Sequence, residues 1–177
     1  CSVDKFKKNI ESLLEYDVKK YWDIRAKSWD LLERDTLIKD QVDKVLTILN
    51  KNKIKSIIDV GCGNGKWSRV LPGKYLGVDI SKELIKVAQK RYPGKKFRIF
   101  DVRNIEKLGE KADLLFSYTC LLHLKWDEVV DFSKKAGKVA KYLLLIEPQV
   151  EVNREKIGYR VLPDEVLDEK KKGRNIV

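Results

Sequence analysis

The amino-acid sequence predicts an α/β fold built on a doubly wound, mostly parallel β-sheet. From residue 54 onward, short apolar segments alternate with amphipathic helical segments, which is the pattern of successive βαβ units. A glycine-rich turn follows the first apolar segment, and acidic residues follow several of the others. Because ligands bind beyond the carboxyl ends of the strands in such sheets, we expect a ligand site at that edge.

The 177 residues are expected to form one domain with three parts. Residues 1–53 are predicted to be a helical cover, since apolar residues recur there at helical spacing. Residues 54–148 are predicted to be the α/β core. Residues 149–177 are predicted to be a shortened C-terminal extension that ends in a basic tail.

Five strands are predicted in the core, at residues 54–60, 75–79, 97–100, 114–116 and 142–146. A helix carrying Trp67 is predicted after the glycine-rich turn. The helix after the second strand is predicted to begin at Ser81, a residue type that caps helix N-termini, and to end at Pro93. The helix after the fourth strand is predicted to run from Trp126 to Ala140.

The net charge of +11 would attract polyanions, so nucleic acid is a possible partner. Residues 82–98 hold seven basic residues and one acidic residue. Lys82, Lys86 and Lys90 form one ridge of a predicted helix, and a solvated ridge is the usual explanation of such spacing. A lysine-rich composition without a binding role is the favoured interpretation.

The three cysteines, Cys1, Cys62 and Cys120, are widely spaced and form no CxxC pair. Together with His123, the single histidine, they predict neither a disulfide framework nor a metal site. A reducing, cytoplasmic location is expected. No apolar run is as long as a membrane span, so no membrane partner is expected.

The segment Asp59-Val60-Gly61-Cys62-Gly63-Asn64-Gly65 predicts a strand that turns into a helix. Bare backbone on such a turn lets a ligand approach closely. A nicotinamide site would need glycine at the position of Lys66, and an acid ahead of the turn would repel a pyrophosphate. The pattern favours a cofactor that ends in an amino acid. Asp79 follows Asp59 by 20 residues. In nucleotide-binding folds an acid at this position accepts hydrogen bonds from ribose hydroxyls.

These motifs, with Gly77-Val78-Asp79-Ile80-Ser81, Asp101-Val102 and residues 116–124, resemble the core of class I S-adenosylmethionine-dependent methyltransferases. The resemblance covers residues 57–148 and implies a Rossmann-like methyltransferase fold, S-adenosyl-L-methionine as cofactor and transferase activity. It implies that Gly61 and Gly63 approach the methionyl group and ribose, that Asp79 binds the ribose diol, and that Ile80 contacts the adenine. The other cofactor-binding residues it implies are Asp59, Cys62, Gly65, Asp101, Val102, Ser117 and Tyr118.

The segment 21–26 resembles the aromatic helix that covers the cofactor in many small-molecule methyltransferases. By that resemblance Arg25 pairs with the cofactor carboxylate, while Tyr21 or Trp22 closes the site. An aromatic face also attracts a sulfonium cation. The alternative is that these aromatic residues belong to the core.

The residues after the fourth strand lack the Asn/Asp-Pro-Pro-Tyr/Phe sequence that serves exocyclic amino groups of bases. A small-molecule acceptor is therefore favoured. His123 is a candidate to orient or deprotonate the acceptor, because its ordinary pKa is near neutrality, or else it anchors the loop. The alternatives are an RNA methyltransferase that uses the basic surface and a non-catalytic partner subunit. A nicotinamide oxidoreductase is disfavoured by Lys66.

Overall fold

The structure is a computed structural model that describes residues 17–28 and 37–147. Within these ranges the α-helices are α1 (Val18–Ser28), α2 (Lys39–Lys51), α3 (Lys82–Arg91) and α4 (Trp126–Ala136). The strands are β1 (Ser56–Val60), β2 (Lys74–Asp79), β3 (Lys96–Ile99), β4 (Ala112–Tyr118) and β5 (Ala140–Ile146). Short 3₁₀ turns occupy Lys66–Arg69, Val102–Lys107 and Leu121–His123.

The strands form one sheet in the order β3-β2-β1-β4-β5, and every pairing described in it is parallel. The first strand lies at the centre, and the chain moves outward first to one side and then to the other. This is the doubly wound arrangement, which confirms the predicted fold class. The carboxyl ends of β1, β2 and β4 lie side by side because Val60 pairs with both Val78 and Ser117.

Alternate residues of the central strands supply two separate apolar cores. Ile58 and Leu115 pack with α4 on one face of the sheet, while Ile57, Leu114 and Phe116 pack with α2 on the other. This alternation follows from the pleat, since successive side chains point to opposite faces. Strands covered on both faces read as continuous apolar runs, as β1 and β4 do.

The chain departs from the predicted elements at two places. Ala140 begins β5 instead of ending α4, because the helix stops at Gly137 and the Val139 carbonyl already accepts from the Ala112 amide of β4. The residues after the glycine turn form a 3₁₀ turn of 4 residues instead of an α-helix. Pro72 follows almost at once, and proline cannot continue a helix.

Other predicted boundaries shift by a few residues. The α3 helix ends at Arg91, ahead of Pro93, while the Ser81 hydroxyl accepts from the Leu84 amide as an N-cap at 3.2 Å. The predicted C-terminal extension, residues 149–177 with its basic tail, lies outside the described residues, as does the start of the helical cover. None of the helices that the structure describes is long and apolar enough to cross a membrane.

We predict that Phe132→Ala destabilises the fold by about 3–5 kcal/mol. The Phe132 side chain is 0% exposed on the α4 face of the sheet, so its removal leaves a cavity. Leu122→Ala is the control, because that side chain is 42% exposed and should cost little. Denaturant unfolding of both variants measures the difference, and equal losses would contradict the assignment of Phe132 to the core.

Candidate functional site

A cavity opens at the carboxyl edge of the sheet, between the glycine turn, the ends of the strands and α1. It brings together residues that are distant in the sequence. The predicted site residues that line it are Trp22, Asp59, Gly61, Cys62, Gly63, Asp79, Ile80, Asp101, Val102, Tyr118 and His123.

All three glycines of the turn have a positive φ, which other residues rarely adopt. Gly61 has φ +69°, and a Cβ there would lie 2.3 Å from the Cys120 sulfur. Gly63 has φ +54°, and a Cβ there would meet nothing within 4 Å. Gly61 therefore lets the chain pack against Cys120, whereas Gly63 exposes bare backbone to open space beside the cavity.

Gly65, the third glycine of the turn, packs against the protein and does not line the cavity. A Cβ on Gly65 would lie 2.9 Å from the Phe97 ring. Its absent side chain lets the turn pack against β3 and α3. Cys62 does line the cavity, and burial raises the pKa of its thiol well above the ordinary value.

Asp59 ends the apolar run of β1 with a buried carboxylate. The Tyr75 hydroxyl donates to it at 2.6 Å, and its side chain is almost completely shielded from solvent. Burial raises the pKa of Asp59 to about 7, although the Tyr75 hydrogen bond opposes the shift. A buried acid with one neutral donor is a group that a cation would stabilise.

Asp79 at the end of β2 joins the glycine turn to the start of α3. One carboxylate oxygen accepts from the Gly63 amide at 2.9 Å and the other from the Ser81 amide at 2.8 Å. Burial raises the pKa of Asp79 to about 6, against the effect of these two backbone hydrogen bonds. Each oxygen keeps a lone pair for a further donor.

Asp101 lies on the cavity wall, but Arg103 already binds its carboxylate. The guanidinium donates to both carboxylate oxygens at 2.6–3.0 Å, and the Arg103 amide donates at 3.0 Å, so Asp101 caps the 3₁₀ turn that follows. Partial burial opposes a low pKa, yet these hydrogen bonds hold the pKa of Asp101 below its ordinary value. Arg103 also pairs with Glu128 at 3.2 Å.

Ser117 and Tyr118 end β4 and have different surroundings. Ser117 is completely buried, donates to Glu147 at 3.3 Å and does not line the cavity, because its side chain points into the protein. Tyr118 does line it; its hydroxyl donates to Gln41 at 3.1 Å, and the Lys66 ammonium lies 4.8 Å from its ring centroid.

The α1 helix closes one side of the cavity with Val18 and Trp22. The Trp22 ring contacts His123 edge to face, at a centroid distance of 5.1 Å. Tyr21 packs on Trp22 but is not among the lining residues. The side chain of Arg25 lies outside those that the structure describes. Burial lowers the pKa of His123, so its imidazole is neutral at pH 7.

Sequence reasoning missed several residues of the cavity wall, among them Lys66, Arg103, Thr119 and Glu128. Arg103 and Glu128 meet only through the fold, although the position of Arg103 beside the Asp101-Val102 motif was a usable signal. Thr119 has φ +55°, which is unusual for a β-branched residue and occurs where the surrounding structure imposes it.

Comparison with known proteins agrees with this arrangement. Residues 57–142 match a family model described as a methyltransferase domain. The chain is 39% identical over 72 residues to "Putative methyltransferase 235L" of Invertebrate iridescent virus 6. That match covers 38% of this chain and 27% of the viral protein, so the chain spans about a quarter of that relative.

Two solved structures have the same architecture. One is an amino pentose methyltransferase from Micromonospora echinaspora with bound SAM, with a TM-score of 0.61 and 18% identity over 70% of this chain and 57% of the other. The other is phosphoethanolamine N-methyltransferase 1 of Haemonchus contortus, with a TM-score of 0.62 and 20% identity over 82% of this chain and 34% of the other. The sheet and the family match together identify residues 57–142 as a methyltransferase domain with the Rossmann-like fold of the S-adenosylmethionine-dependent methyltransferases.

Proposed function

We propose that this protein binds S-adenosyl-L-methionine in the cavity at the carboxyl edge of the sheet and transfers its methyl group to a small-molecule acceptor. The observation that carries the proposal is the open backbone of Gly63 beside two buried carboxylates, Asp59 and Asp79. The cofactor supplies an electrophilic methyl group on a sulfonium. The protein's part is to align the reactants and exclude water.

The residues present fit the chemical groups of this cofactor. Asp79 has lone pairs left for the ribose diol. The open backbone of Gly63 leaves space for the methionyl group and ribose, and Gly61 lines the cavity beside it. Asp59 is placed to accept a hydrogen bond from the cofactor ammonium, directly or through water. Ile80 and Val102 line the cavity as apolar surfaces for the adenine ring, with Asp101 next to Val102.

The charge of the cavity favours a cationic ligand over a phosphate. Its wall carries four carboxylates, from Asp59, Asp79, Asp101 and Glu128, against the two bases Lys66 and Arg103. Arg103 is already paired with two of these acids. A pyrophosphate of a nicotinamide cofactor would meet net negative charge here, as would the backbone of a nucleic acid.

The location of the basic ridge supports a small acceptor over RNA. The basic ridge of Lys82, Lys86 and Lys90 is exposed on α3, where Lys86 pairs with Glu83. It is not part of the cavity wall. The two similar proteins are named as methyltransferases of small molecules, an amino pentose and phosphoethanolamine. We extend that class of acceptor to this chain.

We expect S-adenosylhomocysteine to bind the protein in calorimetric titration and NAD not to bind. Asp79→Asn should weaken S-adenosylhomocysteine binding about tenfold to a hundredfold, because a charged acceptor for the ribose is lost. Asp113→Asn is the matched control. Asp113 also accepts from backbone amides, of Lys55 and Ser56, but at the opposite edge of the sheet. Absence of binding by the unmodified protein would refute the proposed cofactor.

Cofactor binding is predicted to release protons below pH 7. At pH 6 the free protein holds Asp59 mostly protonated, because its pKa is about 7, and Asp79 about half protonated, because its pKa is about 6. An ammonium bound beside Asp59 and ribose hydroxyls that donate to Asp79 would lower these two pKa values, so affinity should rise with pH between about 5 and 8 and level off above.

Calorimetry in buffers of different ionisation enthalpy measures this release. The release should be roughly one to one and a half protons at pH 6 and near zero at pH 8. Asp59→Asn should remove most of the release at pH 6 while leaving the contribution of Asp79. A pH-independent affinity in the unmodified protein would contradict a direct electrostatic link between these carboxylates and the ligand.

His123 is proposed to orient or deprotonate the acceptor. It lines the cavity, and its neutral imidazole can accept a proton. We expect His123→Gln to lower turnover by about a hundredfold or more and to leave S-adenosylhomocysteine affinity unchanged. Turnover is measured as S-adenosylhomocysteine formed from S-adenosylmethionine, with a panel of amines, phenols and carboxylates as methyl acceptors. Unchanged turnover would assign His123 to packing against Trp22 alone.

A further inference from the structure

A carboxylate on α1 binds the beginning of α3. One oxygen of Asp23 accepts from the Ser81 hydroxyl at 2.7 Å and from the Glu83 amide at 3.3 Å. The other oxygen accepts from the Lys19 ammonium at 2.6 Å, one turn earlier on the same helix. Asp23 and Ser81 are 58 residues apart in the sequence, so this contact joins two distant elements.

The start of α3 is a favourable place for this charge. The first amides of a helix have no partner within it, and the helix dipole attracts an anion there. Burial opposes a low pKa, but the hydrogen bonds from Lys19, Ser81 and Glu83 lower the pKa of Asp23 to about 2. The carboxylate therefore stays charged throughout the neutral range.

Ser81 connects Asp23 to the candidate cofactor site. Its hydroxyl donates to Asp23 and accepts from Leu84, while its amide donates to Asp79 at 2.8 Å. Asp79 in turn accepts from Gly63. A continuous set of hydrogen bonds thus runs from α1 through the cap of α3 to the glycine turn.

The α1 helix depends on contacts of this kind. It has 11 residues, and helices of that length are marginal in water without tertiary packing. Ile24 is 57% exposed and Tyr21 is 37% exposed, so neither is a core residue. Ala26 is buried, and Trp22 contacts His123. Asp23 is the neighbour of Trp22 in the chain, so its position helps to set that of the indole on the cavity.

We propose that Asp23 is a positioning residue for the cofactor site: it fixes α1 to the beginning of α3 so that Val18 and Trp22 close the cavity. The proposal rests on the proposed function for its effect on binding. The attachment of α1 itself is a property of the protein without ligand.

The test compares Asp23→Ala, Asp23→Asn and Lys19→Gln in the full chain. Asp23→Ala removes the attachment. Asp23→Asn keeps an oxygen that can accept from Ser81 but loses the charge. Lys19→Gln is the matched control, because it removes the same ion pair within α1 and leaves the hydrogen bonds to α3 in place. Hydrogen exchange of residues 18–28 is measured without ligand, and S-adenosylhomocysteine affinity by calorimetry.

We expect Asp23→Ala to speed exchange in residues 18–28 and to weaken S-adenosylhomocysteine binding by roughly tenfold. Asp23→Asn should give a smaller change in both, and Lys19→Gln little change in either. Exchange in β1 and β4 should stay slow in all three variants, which shows that the core is intact.

Unchanged exchange in Asp23→Ala would overturn the attachment. Faster exchange with unchanged affinity would overturn the role of α1 in the site. An equal effect of Lys19→Gln would assign the change to the ion pair within α1 and overturn the attachment to α3. Failure of the unmodified protein to bind S-adenosylhomocysteine would refute the proposed function and, with it, the effect on binding. The exchange measurement would still decide whether Asp23 holds α1 in place.

Discussion

The carboxylate of Asp79 is the contact on which the site depends. It accepts the amide of Gly63 with one oxygen and the amide of Ser81 with the other, and so it fixes the glycine turn against the beginning of α3. Two loops from neighbouring strands are thereby held in one arrangement. This is possible because β1 and β2 are parallel and in register, with Asp59 opposite Gly77, so that both strands end at the same edge.

Burial gives this contact its chemical importance. An isolated carboxylate would cost free energy at the end of a buried strand, and the protein compensates with donors: backbone amides for Asp79 and the Tyr75 hydroxyl for Asp59. Neither acid has an ion-pair partner among the described residues. The compensation is incomplete, as the raised pKa of each shows. The remaining electrostatic strain favours a positively charged ligand.

The sequence predicted most of the sheet because β1, β2 and β4 are largely buried apolar runs bounded by turn residues, whereas β3 is mostly exposed. It predicted the identities of many cavity-lining residues because strand ends of a parallel sheet meet at one edge. The resemblance implied Ser117 and Gly65 among the cofactor-binding residues, whereas in the structure Ser117 donates to Glu147 and Gly65 packs against Phe97. Which way a side chain points after a strand ends depends on local turns that no periodicity encodes.

Contacts between distant segments were beyond sequence reasoning for the same reason. The Asp23–Ser81 hydrogen bond and the pairing of Arg103 with Glu128 arise only when α1 and α4 pack beside the sheet. The spacing of residue types along the chain does not predict these two contacts. Helical periodicity did predict a cover helix around Trp22, but not the charged group by which that helix is held.

The two cavity-lining thiols have a consequence for the protein's own chemistry. Cys62 and Cys120 both line the cavity proposed for the methyl donor, and thiolates are strong nucleophiles toward alkylating groups. Burial raises the pKa of each thiol well above the ordinary value, so both sulfurs remain protonated at neutral pH. Under the proposed function, both thiols therefore lie beside the methyl donor in their protonated, less nucleophilic form.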